Sequence, residues 1–116
     1  MPFQGSCHCG RIAYEVDADN IPSVIECNCS ICRRKGHLLW FVPKSRFRLL
    51  TPEENAGTYR FNTMKIGHRF CPVCGIQPYA DGQDKEGNQM AAINVRCLED
   101  VDLSALRVIQ YDGLHH

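Results

Sequence analysis

Nothing in the 116 residues approaches the run of ~18 apolar side chains that a membrane-crossing helix needs, and no membrane partner is expected. The first residues, Met1-Pro2-Phe3-Gln4-Gly5, lack the basic start and apolar stretch of a secretory leader, so a reducing, cytoplasmic location is expected. Charge of one sign is missing too: 13 Lys and Arg balance 13 Asp and Glu. That balance leaves no electrostatic footprint for nucleic acid, and none is expected as a partner. There is no internal repeat and no linker-like stretch. Residues 1–116 are expected to form one domain, long enough to bury roughly 65% of the unfolded chain's surface without covalent staples.

What the chain has in abundance is cysteine, eight in all. Disulfides rarely persist where thiols are kept reduced, whereas metal sites do, so the cysteines read as ligands. Seven of them fall into three tight knuckles: Cys7-His8-Cys9, Cys27-Asn28-Cys29-Ser30-Ile31-Cys32, and Cys71-Pro72-Val73-Cys74-Gly75. Cysteines two or three residues apart on a turn can aim thiolates at one point, and backbone N–H groups there stabilise the charge. Two two-cysteine knuckles would close one structural zinc site of four thiolates. The three-cysteine knuckle would leave a zinc with an open fourth position, the arrangement that does chemistry. Spacing alone leaves the partition open, since Cys7 and Cys9 would serve equally well beside Cys27 and Cys29. Seven thiolates and two Zn²⁺ would bring the net charge to about −3, again unlike a nucleic-acid binder.

Periodicity predicts short strands and little helix. Ile12, Tyr14 and Val16 alternate with Ala13 and Glu15, and Val24-Ile25-Glu26 runs into Cys27. Leu38 to Val42, ended by Pro43, reads as a strand buried on both faces, with Trp40 and Phe41 in the core. Phe47 to Leu50 reads as a strand, and Thr51 as the cap of a very short helix beginning at Pro52. Tyr59 and Phe61, then Ile66, His68 and Phe70, suggest a hairpin turning at Asn62 to Lys65. Asp81-Gly82 to Gly87-Asn88 reads as a surface loop. Ile93, Val95 and Cys97 predict a strand face opposite Asn94 and Arg96, and Leu106 to Tyr111 a last strand after a turn capped near Asp102. The fold class is mainly β, a mostly antiparallel sheet system with very short helical turns.

The three knuckles, with the flanking Gly5-Ser6, Gly10, Arg33-Arg34-Lys35-Gly36 and Phe70, resemble the signature segments of the glutathione-dependent formaldehyde-activating enzyme family, which includes centromere protein V. The resemblance extends to Asn94-Val95-Arg96 followed by Asp102-Leu103. It implies a zinc-stitched fold of layered antiparallel sheets similar to methionine-R-sulfoxide reductase B. It also implies that Cys7, Cys9, Cys71 and Cys74 hold a structural zinc, and Cys27, Cys29 and Cys32 a catalytic one. The implied activity is that of a carbon–sulfur lyase, forming S-hydroxymethylglutathione from glutathione and formaldehyde. A thiol whose ordinary pKa is near ~8.5 would ionise on joining the open site.

Other residues divide between chemical and structural readings. Arg33, Arg34 and Lys35 either meet the two carboxylates of glutathione or form a solvated face, since three successive residues cannot all face one ligand. Asn94 and Arg96 serve either a ligand or structural hydrogen bonds. No general acid is evident from spacing; His8, His37 and His68 lie near a cysteine knuckle or a strand end, and His68 reads as a packed histidine. Cys97 reads as a small buried hydrophobe. The alternatives to an enzyme are a zinc-stabilised module that binds a thiol or a protein without turnover, and a thiol redox protein using Cys71 and Cys74.

Overall fold

The computed structural model describes residues 2–60, 66–84 and 86–112. Its strands are Phe3–Ser6 (β1), Ala13–Val16 (β2), Val24–Cys27 (β3), Leu39–Pro43 (β4), Phe47–Leu49 (β5), Gly57–Tyr59 (β6), Gly67–Phe70 (β7), Tyr79–Gln83 (β8), Gln89–Asn94 (β9) and Val108–Tyr111 (β10). One α-helix, Ser30–Lys35 (α1), and four 3-10 turns complete the described elements. The strands form a three-stranded sheet in the order β1-β2-β5 and a seven-stranded sheet in the order β10-β3-β4-β9-β8-β7-β6. Every pairing is antiparallel except that of β10 with β3. The chain is therefore mainly β with layered antiparallel sheets. No described helix is long and apolar enough to cross a membrane.

The alternation that runs from Ile12 through β2 buries Ile12, Tyr14 and Val16 almost completely, and these join Leu38, just before β4, and Trp40, Val42, Ala91 and Ile93 of the large sheet in the main core. Burial of this many large apolar side chains is the dominant stabilising term, each contributing about 1.5–3 kcal/mol. Tyr14 crosses between the layers: its hydroxyl donates to the Pro78 carbonyl at 3.1 Å. Its ring lies over Gly5, where a Cβ would come within 2.7 Å of the ring, so only glycine fits there.

The large sheet has a second face with a different character. Phe41 of β4 stands opposite Ala92 of β9, Ala92 opposite Ala80 of β8, and Ala80 opposite His68 of β7. Two alanines at neighbouring cross-strand positions leave the middle of that face shallow, while α1 lies alongside and contributes Cys32 to a small second cluster with Leu39, Ala80 and Ala92. The core thus occupies one face of the sheet and a cleft the other.

Several expectations need correction. β4 is not buried on both faces: Trp40 is core, but Phe41 is 47% exposed because it points to the cleft side. Thr51 does not cap the following turn; its hydroxyl accepts from the Ala13 N–H at 3.2 Å and ties the end of β5 to β2. The loop expected from Asp81 is shorter than that, since Asp81, Gly82 and Gln83 continue β8 and pair with Ala91, Met90 and Gln89. Val95 to Cys97 is a 3-10 turn and not strand, because the Asn94 side chain accepts the Arg96 N–H and curls the backbone. β1 carries no apolar alternation to signal it; the pairing of Gly5 with Tyr14 supplies the strand. The hairpin turn expected at Asn62 to Lys65, Phe61, and the terminal His115 and His116 lie outside the described residues.

Replacing Tyr14 by Phe keeps the ring and removes one of the two donors to the Pro78 carbonyl, which retains the Asn94 N–H at 3.0 Å. Urea unfolding is expected to show a loss of about 0.5–1.5 kcal/mol. A variant indistinguishable from the parent would mean that this bond does not join the layers.

Candidate metal centres and the cleft between them

The first two cysteine knuckles to consider are both hairpin loops, one between β1 and β2 and the other between β7 and β8. In the first, Cys7 N–H donates to the Ile12 carbonyl at 3.0 Å and the Ile12 N–H points at Cys7 Sγ at 3.3 Å. In the second, Cys71 N–H donates to the Ile76 carbonyl at 2.9 Å and the Cys74 N–H points at Cys71 Sγ at 3.4 Å. Each loop is closed by a glycine in the left-handed region, Gly10 at φ 84° and Gly75 at φ 82°. The repeated geometry aims four sulfurs at one point. Cys7, Cys9, Cys71 and Cys74 place all their Sγ atoms within 4.8 Å of one another, with Cys9 Sγ 3.7 Å from Cys7 Sγ and 3.6 Å from Cys71 Sγ.

Those separations suit zinc, since a tetrahedron of Zn–S bonds of about 2.3 Å has edges of about 3.8 Å. The surrounding N–H groups favour thiolate as well: those of Ile76 and Cys9 hold Cys74 down to about 6 from the ordinary 9.0, and that of Cys74 lowers Cys71. Cys7 and Cys71 are also members of the main core, at 3% and 0% exposure, so this cluster is continuous with the packing of both sheets.

The remaining knuckle belongs to the other face. Cys27 ends β3, Cys29 precedes α1, and Cys32 lies one turn into it; their Sγ atoms are again within 4.8 Å of one another. The Cys29 N–H points at Cys27 Sγ at 3.4 Å. Burial pushes the Cys32 thiol up, while Cys29 is lowered, the N–H groups of Cys32 and Ile31 and the neighbouring thiols outweighing its own burial. Three soft donors with no fourth ligand among the described residues fit a three-coordinate zinc site with one open position. Cys97 does not complete it. That residue is half-buried beside Cys7 and Cys74, and burial raises its thiol to about 11.

The three-cysteine cluster sits where two concavities meet. One is a cleft of about 600 Å³ on the outer face of the large sheet, walled by apolar side chains including Ile25, Ile31, Leu39, Phe41, Ile66 and Met90. The other is a polar hollow of about 240 Å³ that contains Glu26, Asn28, Arg33, Gly36 and Gln110. Cys27, Cys32 and His37 line both. His37 is 4% exposed with neither ring nitrogen hydrogen-bonded among the described residues; burial, then the charge of Lys35 and the proximity of His68, pulls its pKa down to about 4, so it is neutral at pH 7.

His68 is buried at 6% and reaches the cleft wall, not the protein core. His8 is exposed on the first knuckle. Arg33, Arg34 and Lys35 form the last turn of α1 and diverge: Arg33 lines the polar hollow, Arg34 bonds back to the Ser30 carbonyl, and Lys35 lies near His37 and His68. Asn94 is structural, its amide donating to the Gln77 carbonyl at 3.1 Å while its oxygen caps the turn, and Arg96 is exposed. Gln77 itself carries no signal in the sequence. It is 7% exposed, lines the cleft, and both polar atoms of its amide are unpartnered among the described residues.

With the geometry established, comparison with known proteins is decisive. Residues 2–110 match the sequence profile of the glutathione-dependent formaldehyde-activating enzymes. The chain belongs to that family. It is also similar to a crystal structure of a Rhodobacter sphaeroides protein determined by structural genomics, with a TM-score of 0.77 and 30% identity over 91% of this chain and 99% of that one. Family membership supports a glutathione-dependent, formaldehyde-activating type of activity and a small thiol as partner.

The two clusters differ in how deeply they enter the packing, and the variants should differ accordingly. Cys71→Ser is expected to unfold the chain or lower its melting temperature by more than about 10 °C, because metal binding at a core clasp is folding free energy. Cys29→Ser should melt within a few degrees of the parent. Thermal unfolding by circular dichroism reads both, and an unchanged Cys71→Ser protein would show that the four-sulfur cluster does not hold the sheets.

Proposed function

We propose that the chain is a carbon–sulfur lyase-type enzyme, one domain over residues 1–116, that catalyses the reversible addition of the glutathione thiol to formaldehyde or a related aldehyde. The observation that carries this reading is the convergence of Cys27, Cys29 and Cys32 at the junction of a polar hollow and an apolar cleft. In this reading the three hold a zinc ion whose open position favours ionisation of an incoming thiol near neutral pH. Cys7, Cys9, Cys71 and Cys74 hold a second, structural zinc.

The chain's own side chains supply the rest. The hollow presents Arg33, Glu26, Asn28 and Gln110, charges of both signs and two amides suited to a peptide-like thiol that carries both carboxylates and an ammonium. The cleft excludes water with its apolar walls and places the aldehyde beside the sulfur, which supplies the gain from proximity. His37 borders both concavities and is neutral at pH 7, with one nitrogen able to donate a proton and the other able to accept one. It is positioned to move the thiol proton toward the oxygen of the adduct. Dependence on glutathione also suits a reducing compartment such as the cytoplasm.

Metal analysis joined to a glutathione titration tests the reading. The expected result is two zinc ions per chain, glutathione binding, and accelerated exchange between glutathione, formaldehyde and S-hydroxymethylglutathione in NMR spectra. Cys29→Ser should retain one zinc and lose thiol binding and exchange. Zinc and glutathione bound without accelerated exchange would favour a binding module, and one zinc with no thiol binding would remove the proposal altogether.

A further inference from the structure

The cleft is much larger than formaldehyde requires. At about 600 Å³ it lies within the ~300–1,000 Å³ range of sites for ligands of many heavy atoms, and formaldehyde has two. Nor is it suited to the body of glutathione. Among its described lining residues there is no Lys or Arg to meet a carboxylate, and the one carboxylate present is Asp84, held ionised by bonds from Asn88. The other concavity is lined by a cation, Arg33, and by the carboxylate of Glu26, a pair that matches the carboxylates and the ammonium of the tripeptide. Thus the thiol and its carboxylates belong on the hollow side of the cysteine cluster, and something apolar belongs on the cleft side.

The polar atoms in the cleft sharpen this. Gln77 is fixed from behind: the Asn94 amide donates to its backbone carbonyl at 3.1 Å, and the Asn94 N–H donates to the next carbonyl, that of Pro78, at 3.0 Å. The Gln77 side-chain amide nevertheless has no partner among the described residues, although it is more than nine-tenths buried; His37 is in the same condition. An unmade hydrogen bond on a buried polar group costs about 1–3 kcal/mol, so two such groups on one cavity wall indicate a ligand that completes them. The ligand that fits has one compact polar end and an apolar remainder.

We propose that this cleft binds aldehydes with an apolar chain of several carbons, or their glutathione adducts, with the carbonyl oxygen at Gln77 and His37 and the chain along Leu39, Phe41, Ala92 and Met90. The proposal rests on the thiol-addition reading and names its substrate class. In the reaction the thiol S–H bond breaks and a sulfur–carbon bond forms at the carbonyl carbon. The π electron pair of the carbonyl moves onto oxygen, which takes up the proton; nothing is oxidised or reduced. Gln77 donates from Nε2 to the oxygen as charge develops on it, and His37 conveys the proton.

Unreactive carbonyl analogues test the site apart from turnover. Formamide and hexanamide would be titrated by calorimetry into the zinc-loaded protein without glutathione. Hexanamide is expected to bind at least about tenfold more tightly, from the methylenes it buries. Gln77→Leu should weaken hexanamide about tenfold. Phe41→Ser, at a position 47% exposed and outside both buried clusters, should keep the parent's melting temperature, weaken hexanamide and leave formamide unchanged. Equal binding of the two amides by the parent protein overturns the proposal. So does parent-like hexanamide affinity in a Gln77→Leu protein with an unchanged melting temperature; if that variant does not fold, Phe41→Ser decides by the same comparison.

Turnover with glutathione plus formaldehyde or hexanal separates the two claims. Amide discrimination without glutathione-dependent turnover of either aldehyde refutes the lyase reading and upholds the ligand class of the cleft. Formaldehyde turnover with equal amide binding does the reverse.

Discussion

The convergence of Cys7, Cys9, Cys71 and Cys74 is the constraint on which the rest of the structure depends. The first pair lies at the end of the three-stranded sheet and the second at a hairpin of the seven-stranded sheet, 62 residues away along the chain between Cys9 and Cys71. Closing such a loop costs conformational entropy that packing must offset, and four thiolates cannot share a pocket without a cation to neutralise them. The same closure brings Pro78 under the Tyr14 hydroxyl and Glu99 N–H onto the Gln4 carbonyl at 2.8 Å, so the sulfur cluster, the interlayer hydrogen bonds and the core act in register. Because this clasp lies to one side of the large sheet, the other face is left to a different task.

Local chemistry makes much of this legible in the sequence. The period-2 pattern from Ile12 to Val16 places β2, and the knuckles are visible because two cysteines two or three residues apart, followed by glycine, form the turn that converges thiolates on a metal. What spacing leaves undetermined is which knuckles meet, since that depends on a pairing across the whole chain. Features set by cross-strand neighbours escape a local reading for the same reason. Asp81-Gly82 has the composition of a turn, yet its partners Ala91 and Met90 keep it in the sheet; Phe41 reads as core, yet Ala92 opposite it leaves that side open. Val95 carries on the alternation of Ile93, but one side-chain bond from Asn94 turns the backbone away.

Gln77 shows why a functional residue can be invisible in sequence. It belongs to no motif and has no periodic neighbour, and a glutamine before a proline ordinarily reads as a solvated loop residue. Its significance comes from three non-local facts: Asn94 anchors its backbone, burial removes it from water, and the alanines of β8 and β9 leave space in front of it. His37 is the complementary case. Its place after Gly36 at the end of α1 marks it as near the cysteines, but only the fold shows that it borders both concavities.

The division of polarity around the three-cysteine cluster constrains the chemistry more tightly than the cysteines do. A thiolate site open on all sides would accept any thiol and any electrophile, with water competing for both. Here Arg33, Glu26 and two amides lie on one side, and on the other an apolar wall with two polar groups unsatisfied among the described residues, so two different reactants have different places to bind. Selectivity between aldehydes then arises as a difference in buried apolar area, a term that grows with each methylene and that formaldehyde cannot exploit. The oxygen, common to all aldehydes, is met by the same Gln77 and His37 whatever the chain. Recognition of the reacting group and recognition of the remainder are in this reading assigned to separate residues.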